Sequence, residues 1–118
     1  MGINRYGHKR DSCERGIVWT LRKAGCVVYP LSDKGVPDLL VSAPWLPGVN
    51  LLLECKDAEK GEPTKDQTIF NAAWKGQRAT VSTPREALEA VEINGLNAAT
   101  CLNAYENELL KPKARQFK

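Results

Sequence analysis

Residues 36–56 read VPDLLVSAPWLPGVNLLLECK, and the way this stretch divides decides the fold. Its first part, PDLLVSAP, is an extended apolar segment closed by Pro44, Pro47 and Gly48, residues that stop strand pairing and turn the chain. Its second part, VNLLLECK, is a nearly continuous apolar run ending abruptly in a carboxylate and an amine. A run without polar alternation is the pattern of a strand covered on both faces, here with a polar end. Side chains alternate across a strand, so Glu54 and Lys56 share one face while Cys55 points to the other and packs as a small apolar residue. Neighbouring strands lie about 4.8 Å apart. Asp38 on one strand can therefore converge with Glu54 and Lys56 at the end of the next.

Upstream, Asp11 with Glu14 three residues on predicts a capping box, and Ile17, Val18, Leu21 and Ala24 recur at helical spacing until Gly25. CVVYPL, residues 26–31, reads as a short strand leading into a turn at SDKG. Downstream, DAEKGEP is a polar loop. Thr64 and Gln67 then form a second capping box for a helix that carries Phe70, Ala73 and Trp74 on one face and ends at Gly76. Residues 79–83, ATVST, supply a further strand. Thr83, Pro84 and Glu86 open another helix, which Asn94 and Gly95 stop. A last helix covers Ala98, Leu102, Tyr105 and Leu109, with Pro112 where the tail leaves it. The order is helix, three strands, helix, strand, helix, helix: a mixed α/β layer structure without regular βαβ alternation.

The 118 residues suffice for one core and not two, so residues 1–95 form the main body and residues 96–118 add a helix and basic tail to the same domain. No apolar stretch approaches the roughly 18–20 residues of a bilayer span, and no apolar run follows the basic N-terminus, so the expected compartment is the cytoplasm. Cys13, Cys26, Cys55 and Cys101 lack metal-cluster spacing and are expected as free, mostly buried thiols. The net charge of +3 is modest, but it is concentrated at both ends: Arg5, Lys9, Arg10, Arg15, Arg22 and Lys23 at one, and the acid-free KPKARQFK at the other. Such ends are either solvated termini or phosphate contacts.

Two carboxylates, Asp38 and Glu54, with the backbone carbonyl of Cys55 make the hard oxygen set that Mg²⁺ takes, leaving positions for water and a substrate phosphate. A neighbouring ammonium, Lys56, offsets charge developing on that phosphate. This pattern resembles the PD-(D/E)XK nuclease superfamily, GVPDLL supplying the PD and LECK the E-X-K. Glu14 in the first helix, then Asp38, Glu54 and Lys56, then KGEPTKDQ with Gln67 opening the next helix, are similar to the motif order of its virus-type replication-repair nuclease branch, and the layout is similar to archaeal Holliday-junction resolvases. The likeness covers roughly residues 11–92.

The resemblance implies a restriction-endonuclease-like core, a central mixed β-sheet flanked by helices, here with an extra C-terminal helix. It implies a metal-dependent DNA endonuclease selective for branched or nicked DNA such as Holliday junctions or flaps, with Glu14, Asp38, Glu54, Lys56 and Gln67 as the catalytic set. Asp38, Glu54 and the Cys55 carbonyl hold Mg²⁺, or Mn²⁺ in its place, and Glu14 is a further metal ligand. Arg5, Lys9, Arg10, Ser32, Lys34, Lys60 and Lys65 are the expected nucleic-acid contacts. A homodimer is implied, with the helix around Leu102 and Tyr105 as the interface, in the cytoplasm of a bacterial or phage-infected cell. The plainer readings are a turn at Asp38, a surface pair at Glu54 and Lys56, and simple capping by Glu14 and Gln67. Ser32 then serves a turn, and Trp19, Trp45 and Trp74 belong to the core, although Trp45 in its loop could meet a substrate. A non-catalytic nucleic-acid-binding or assembly protein that keeps the fold is the alternative function. Against it stands the cost, several kcal/mol, of clustering unpaired charge at the end of a buried strand.

Overall fold

The computed structural model describes residues 11–57 and 62–111. Helix α1 spans Glu14–Ala24, strands β1, β2 and β3 span Val27–Pro30, Leu39–Ser42 and Leu51–Cys55, helix α2 spans Lys65–Ala73, and strand β4 spans Arg78–Val81. Helices α3, Pro84–Ala90, and α4, Gly95–Leu110, complete the chain. The expected element order is the observed one: a small α/β fold with a four-stranded mixed sheet in the order β1-β2-β3-β4. The first three strands are antiparallel neighbours, and β4 runs parallel to β3 after the α2 crossover.

Every residue of β3 is buried, as its unbroken apolar run requires. Helices α1 and α3 cover one face of the sheet, and α4 packs against both of them. There Ile17 and Leu21 of α1 pack with Val28, Val41, Leu53 and Val81 of the strands and with Leu88 and Ala98 of α3 and α4. Each of these Ile, Leu and Val side chains contributes about 1.5–3 kcal/mol by leaving water. The other face carries Val27, Tyr29 and Leu40, all exposed, and α2 near its β3–β4 side. The outer edge of β1 is blunted. The bond from Leu31 N–H to the Asp38 carbonyl sets the odd residues of β1 toward β2. The outward Val28 carbonyl accepts from Arg22 Nη2 at 2.7 Å, and the outward Pro30 has no N–H to offer.

Four local expectations change. Asp11 does not cap α1; the N-cap is Cys13, without a side-chain cap bond. Helix α2 stops at Ala73, before Gly76, and buries no residue; Phe70 and Trp74 stack on each other, centroids 5.5 Å apart, instead of entering the core. Asn94 and Gly95 begin α4 and do not end α3, which closes at Val91. On α4, Tyr105 packs against Trp19 and Gly16 of α1, and Leu102 lies against the core. The face expected to bind a second copy is thus engaged within the chain. The four cysteines are free, two of them buried, as expected. Among the described residues no helix is long and apolar enough to cross a membrane.

Candidate metal and phosphate site

The β2–β3 register sets Leu39 opposite Leu53, and carried one residue further it sets Asp38 opposite Glu54 at the end of the sheet. The odd residues of β3 direct their peptide groups toward β2, since the even ones are used by β4 through bonds such as Lys56 N–H to the Val81 carbonyl. At Cys55 strand β2 has already ended. Its N–H therefore donates to Asp38 Oδ2 at 2.8 Å, and its carbonyl turns to the same side. One backbone amide thus orients Asp38 where the E-X-K segment leaves the sheet.

Glu14 reaches this point because the start of α1 is tied to the same segment. Asp57 accepts from Ser12 N–H, Ser12 Oγ and Cys13 N–H at 3.0–3.1 Å, and its own N–H donates to Asp11 Oδ2 at 2.6 Å. This reciprocal clasp takes the place of the expected capping box. Partial burial, followed by the bond to the Asp57 carboxylate, pushes the Cys13 thiol up to about 12, and the same bond holds the Asp57 carboxyl below its usual range. With α1 fixed, donor atoms of Glu14, Asp38 and the Cys55 thiol all lie within 4.8 Å of one another.

Glu54 lies on the α2 side of the site, 8% exposed. Its Oε2 accepts from Gln67 Nε2 at 2.9 Å and lies 3.9 Å from Lys56 Nζ. Gln67 also completes the α2 capping box, its Oε1 accepting from Thr64 N–H at 2.9 Å and its N–H donating to Thr64 Oγ1. One side chain thus caps α2 and bonds to Glu54. Burial first, and then the Asp38 charge, push Glu54 from 4.5 up to about 7, while Lys56 and Arg78 pull it down. A buried carboxylate facing a second carboxylate is a place where a divalent cation is favoured.

The donor set suits Mg²⁺. Burial, followed by the charges of Asp38 and Glu14, raises the Cys55 thiol above its usual range and keeps it protonated, so sulfur is a poor donor there. The carboxylate oxygens of Glu14 and Asp38 fit a hard ion; Glu54, bonded to Gln67 and facing Lys56, lies outside this group of donor atoms.

Of the expected nucleic-acid contacts, Lys34 is paired with Asp66 at 3.5 Å and Lys65 begins α2 beside it, both exposed, while Ser32 is exposed in the β1–β2 loop. That loop meets α2 at Gly35. A Cβ there would lie 2.8 Å from the Asp66 backbone, and its φ of +81° also excludes most other residues. Arg5, Lys9, Arg10 and Lys60 lie outside the described residues. Trp45 is anchored elsewhere. Its indole donates to the Val91 carbonyl at 2.6 Å and rests near Gly25, at the end of α1 away from Glu14.

Three contributors escaped the sequence reading. Asp57 and Asp11 form the clasp, and Arg78, one of the residues around a cavity of about 150 Å³ with Glu54, Lys56, Gln67 and Asn71, has a buried Nε without a hydrogen-bond partner. Asp57 directly follows LECK, and that adjacency was its only signal. No family model, curated protein or solved structure matches this chain.

Proposed function

We propose that this chain is a Mg²⁺-dependent endodeoxyribonuclease of the PD-(D/E)XK kind with a restriction-endonuclease-like core, acting on branched or nicked DNA as a homodimer. The observation that carries the reading is the convergence of Glu14, Asp38 and Glu54 with Lys56 at one end of the sheet. Mg²⁺, or Mn²⁺ in its place, held by Glu14, Asp38, Glu54 and the Cys55 carbonyl, would supply Lewis-acid polarisation of the phosphate and acidify a water. The chain's own residues do the rest. The Cys55 N–H holds Asp38 in place, Gln67 fixes the rotamer of Glu54, and the clasp of Asp11 and Asp57 fixes Glu14. Lys56 Nζ, 24% exposed at the side-chain level, is placed to meet a phosphate oxygen or the attacking water. A second copy would supply a symmetric second site for cutting paired strands. With the Leu102–Tyr105 face engaged by α1, its contact surface lies elsewhere, and the open sheet face of Val27, Tyr29 and Leu40 is available.

The test is cleavage of labelled four-way junction, flap, duplex and single strand, with Mg²⁺ or with EDTA, beside Asp38→Asn. Metal-dependent cutting that disappears in the variant supports the reading. Salt-sensitive binding without any cutting replaces it with the non-catalytic binding protein.

A further inference from the structure

The outer face of α1 carries side chains that neither the core nor the metal site explains. Arg15, Val18, Trp19, Arg22 and Lys23 fall at helical spacing beside the buried stripe of Ile17 and Leu21. With Asp11, Ser12 and Glu14 at one end and Pro30 of β1 along the side, they line a groove of about 1010 Å³. Its charge is ordered. The acids stand only at the Glu14 end, where Asp11 is held by Asp57 N–H and Glu14 belongs to the metal site. The length beyond carries Arg15, Arg22 and Lys23.

Two of these groups are held in place. The Arg22 guanidinium is tied to the Val28 carbonyl at 2.7 Å, and the Trp19 ring rests on Tyr105, centroids 5.5 Å apart at 45°. A fixed indole between cations, leading away from carboxylates that suit a metal, is the layout that binds unpaired bases by stacking and their phosphates by charge. The volume is that of a small-ligand site, with room for a few nucleotides of one strand.

We propose that this groove holds a single strand of nucleic acid whose backbone passes from Lys23, along Arg22 and Arg15, to the metal site at Glu14. The inference rests on the nuclease reading for its direction and sharpens it: the substrate has an unpaired arm, and the cut falls where that arm meets paired DNA.

The experiment measures affinity by fluorescence anisotropy for a labelled oligothymidine, a flap and a blunt duplex, using full-length Asp38→Asn protein. The variants are Arg15→Ala with Lys23→Ala, both exposed and free of core contacts, and Trp19→Phe, which keeps a ring on Tyr105. The charge pair should weaken oligothymidine and flap binding about tenfold and lower the salt slope for oligothymidine by about 1.4, two phosphates at 0.7 each. Duplex binding should change less than about twofold. Trp19→Phe should weaken oligothymidine and flap binding but not duplex binding, with the salt slope unchanged. Equal losses on all three ligands, or none on oligothymidine, overturn the proposal. Binding needs no chemistry, so the two readings fail separately. An active parent that cuts blunt duplex as well as flap, with Arg15 and Lys23 dispensable for both, removes the groove alone. A parent that grips oligothymidine through Arg15 and Lys23 yet cuts nothing removes the nuclease alone.

Discussion

Lys56 is the residue whose removal separates chemistry from architecture. Its backbone is fixed by the Val81 carbonyl and by Ser82 Oγ, so the strand end survives loss of the ammonium. Lys56→Ala should fold and bind DNA as the parent does but cut about 10²–10³-fold more slowly, the usual loss when one charge-stabilising donor is taken away; single-turnover rates check this, and equal rates would remove Lys56 from the site. Cys55 gives a complementary case. If its carbonyl and not its thiol serves the metal, Cys55→Ala should keep Mg²⁺-dependent cutting within about threefold. The same variant should lose inhibition by Cd²⁺, a soft ion able to take sulfur beside Glu14 and Asp38. Titrating both ions against both proteins decides it. At this scale the sequence was informative about position, setting Asp38 and Glu54 at neighbouring strand ends and Gln67 at the start of α2. It was silent on Asp57, because a carboxylate one residue past a strand has no pattern that distinguishes a clasp from a solvated loop.

Among the elements, α1 is the one on which the candidate site depends, since it carries Glu14 and is held at its start and along its length. Its start is held by Asp57, and Asp57→Ala should lower kcat about 10–100-fold with little change in substrate affinity, as expected when a group is misplaced without being removed. The middle of α1 is held by α4. A Cβ on Gly16 would stand 2.5 Å from the Tyr105 hydroxyl and 2.8 Å from Cζ, too near for either helix to keep its place. Gly16→Val should therefore cost about 1–3 kcal/mol, read as a lowered urea midpoint with unchanged m-value. Strands β1 to β4 and helix α3 were legible because runs of Val and Leu, and the Thr83–Pro84–Glu86 start, fix their type locally. Helix α2 was legible as a helix and misread as a core element. Phe70 and Trp74 at helical spacing look alike whether they face a core or, as here, each other. The meeting of α1 with α4 through Gly16 left no sequence signal at all, because a helical glycine reads as a weak helix former until its neighbour is known.

At the scale of the whole molecule, the sheet presents two different faces, one covered by α1 and α3 over an apolar core, the other bearing α2 on polar contacts around Glu54, Lys56 and Arg78. The charge of Glu54 is therefore a load on the entire fold. Its carboxyl ionises near 4.5 in the unfolded chain and near 7 in the folded one, so the folded state binds the proton more tightly. Stability is highest below about pH 4.5 as far as this group is concerned, falls as pH rises toward 7, and stays lower above that. A divalent cation between Glu54, Asp38 and Glu14 reverses the sign of that contribution, because it binds the ionised, folded form only. Millimolar Mg²⁺ should thus raise the melting temperature at about pH 8 by several degrees and leave it nearly unchanged at about pH 5, where Glu54 is protonated. Glu54→Gln should abolish both effects: the variant should lose the decline between pH 5 and 8 and should no longer respond to Mg²⁺. Melting curves of parent and variant at the two pH values, with the ion and with EDTA, give the four differences needed. A parent whose response to Mg²⁺ is the same at both pH values would separate Glu54 from the metal and leave its raised pKa as a consequence of burial alone.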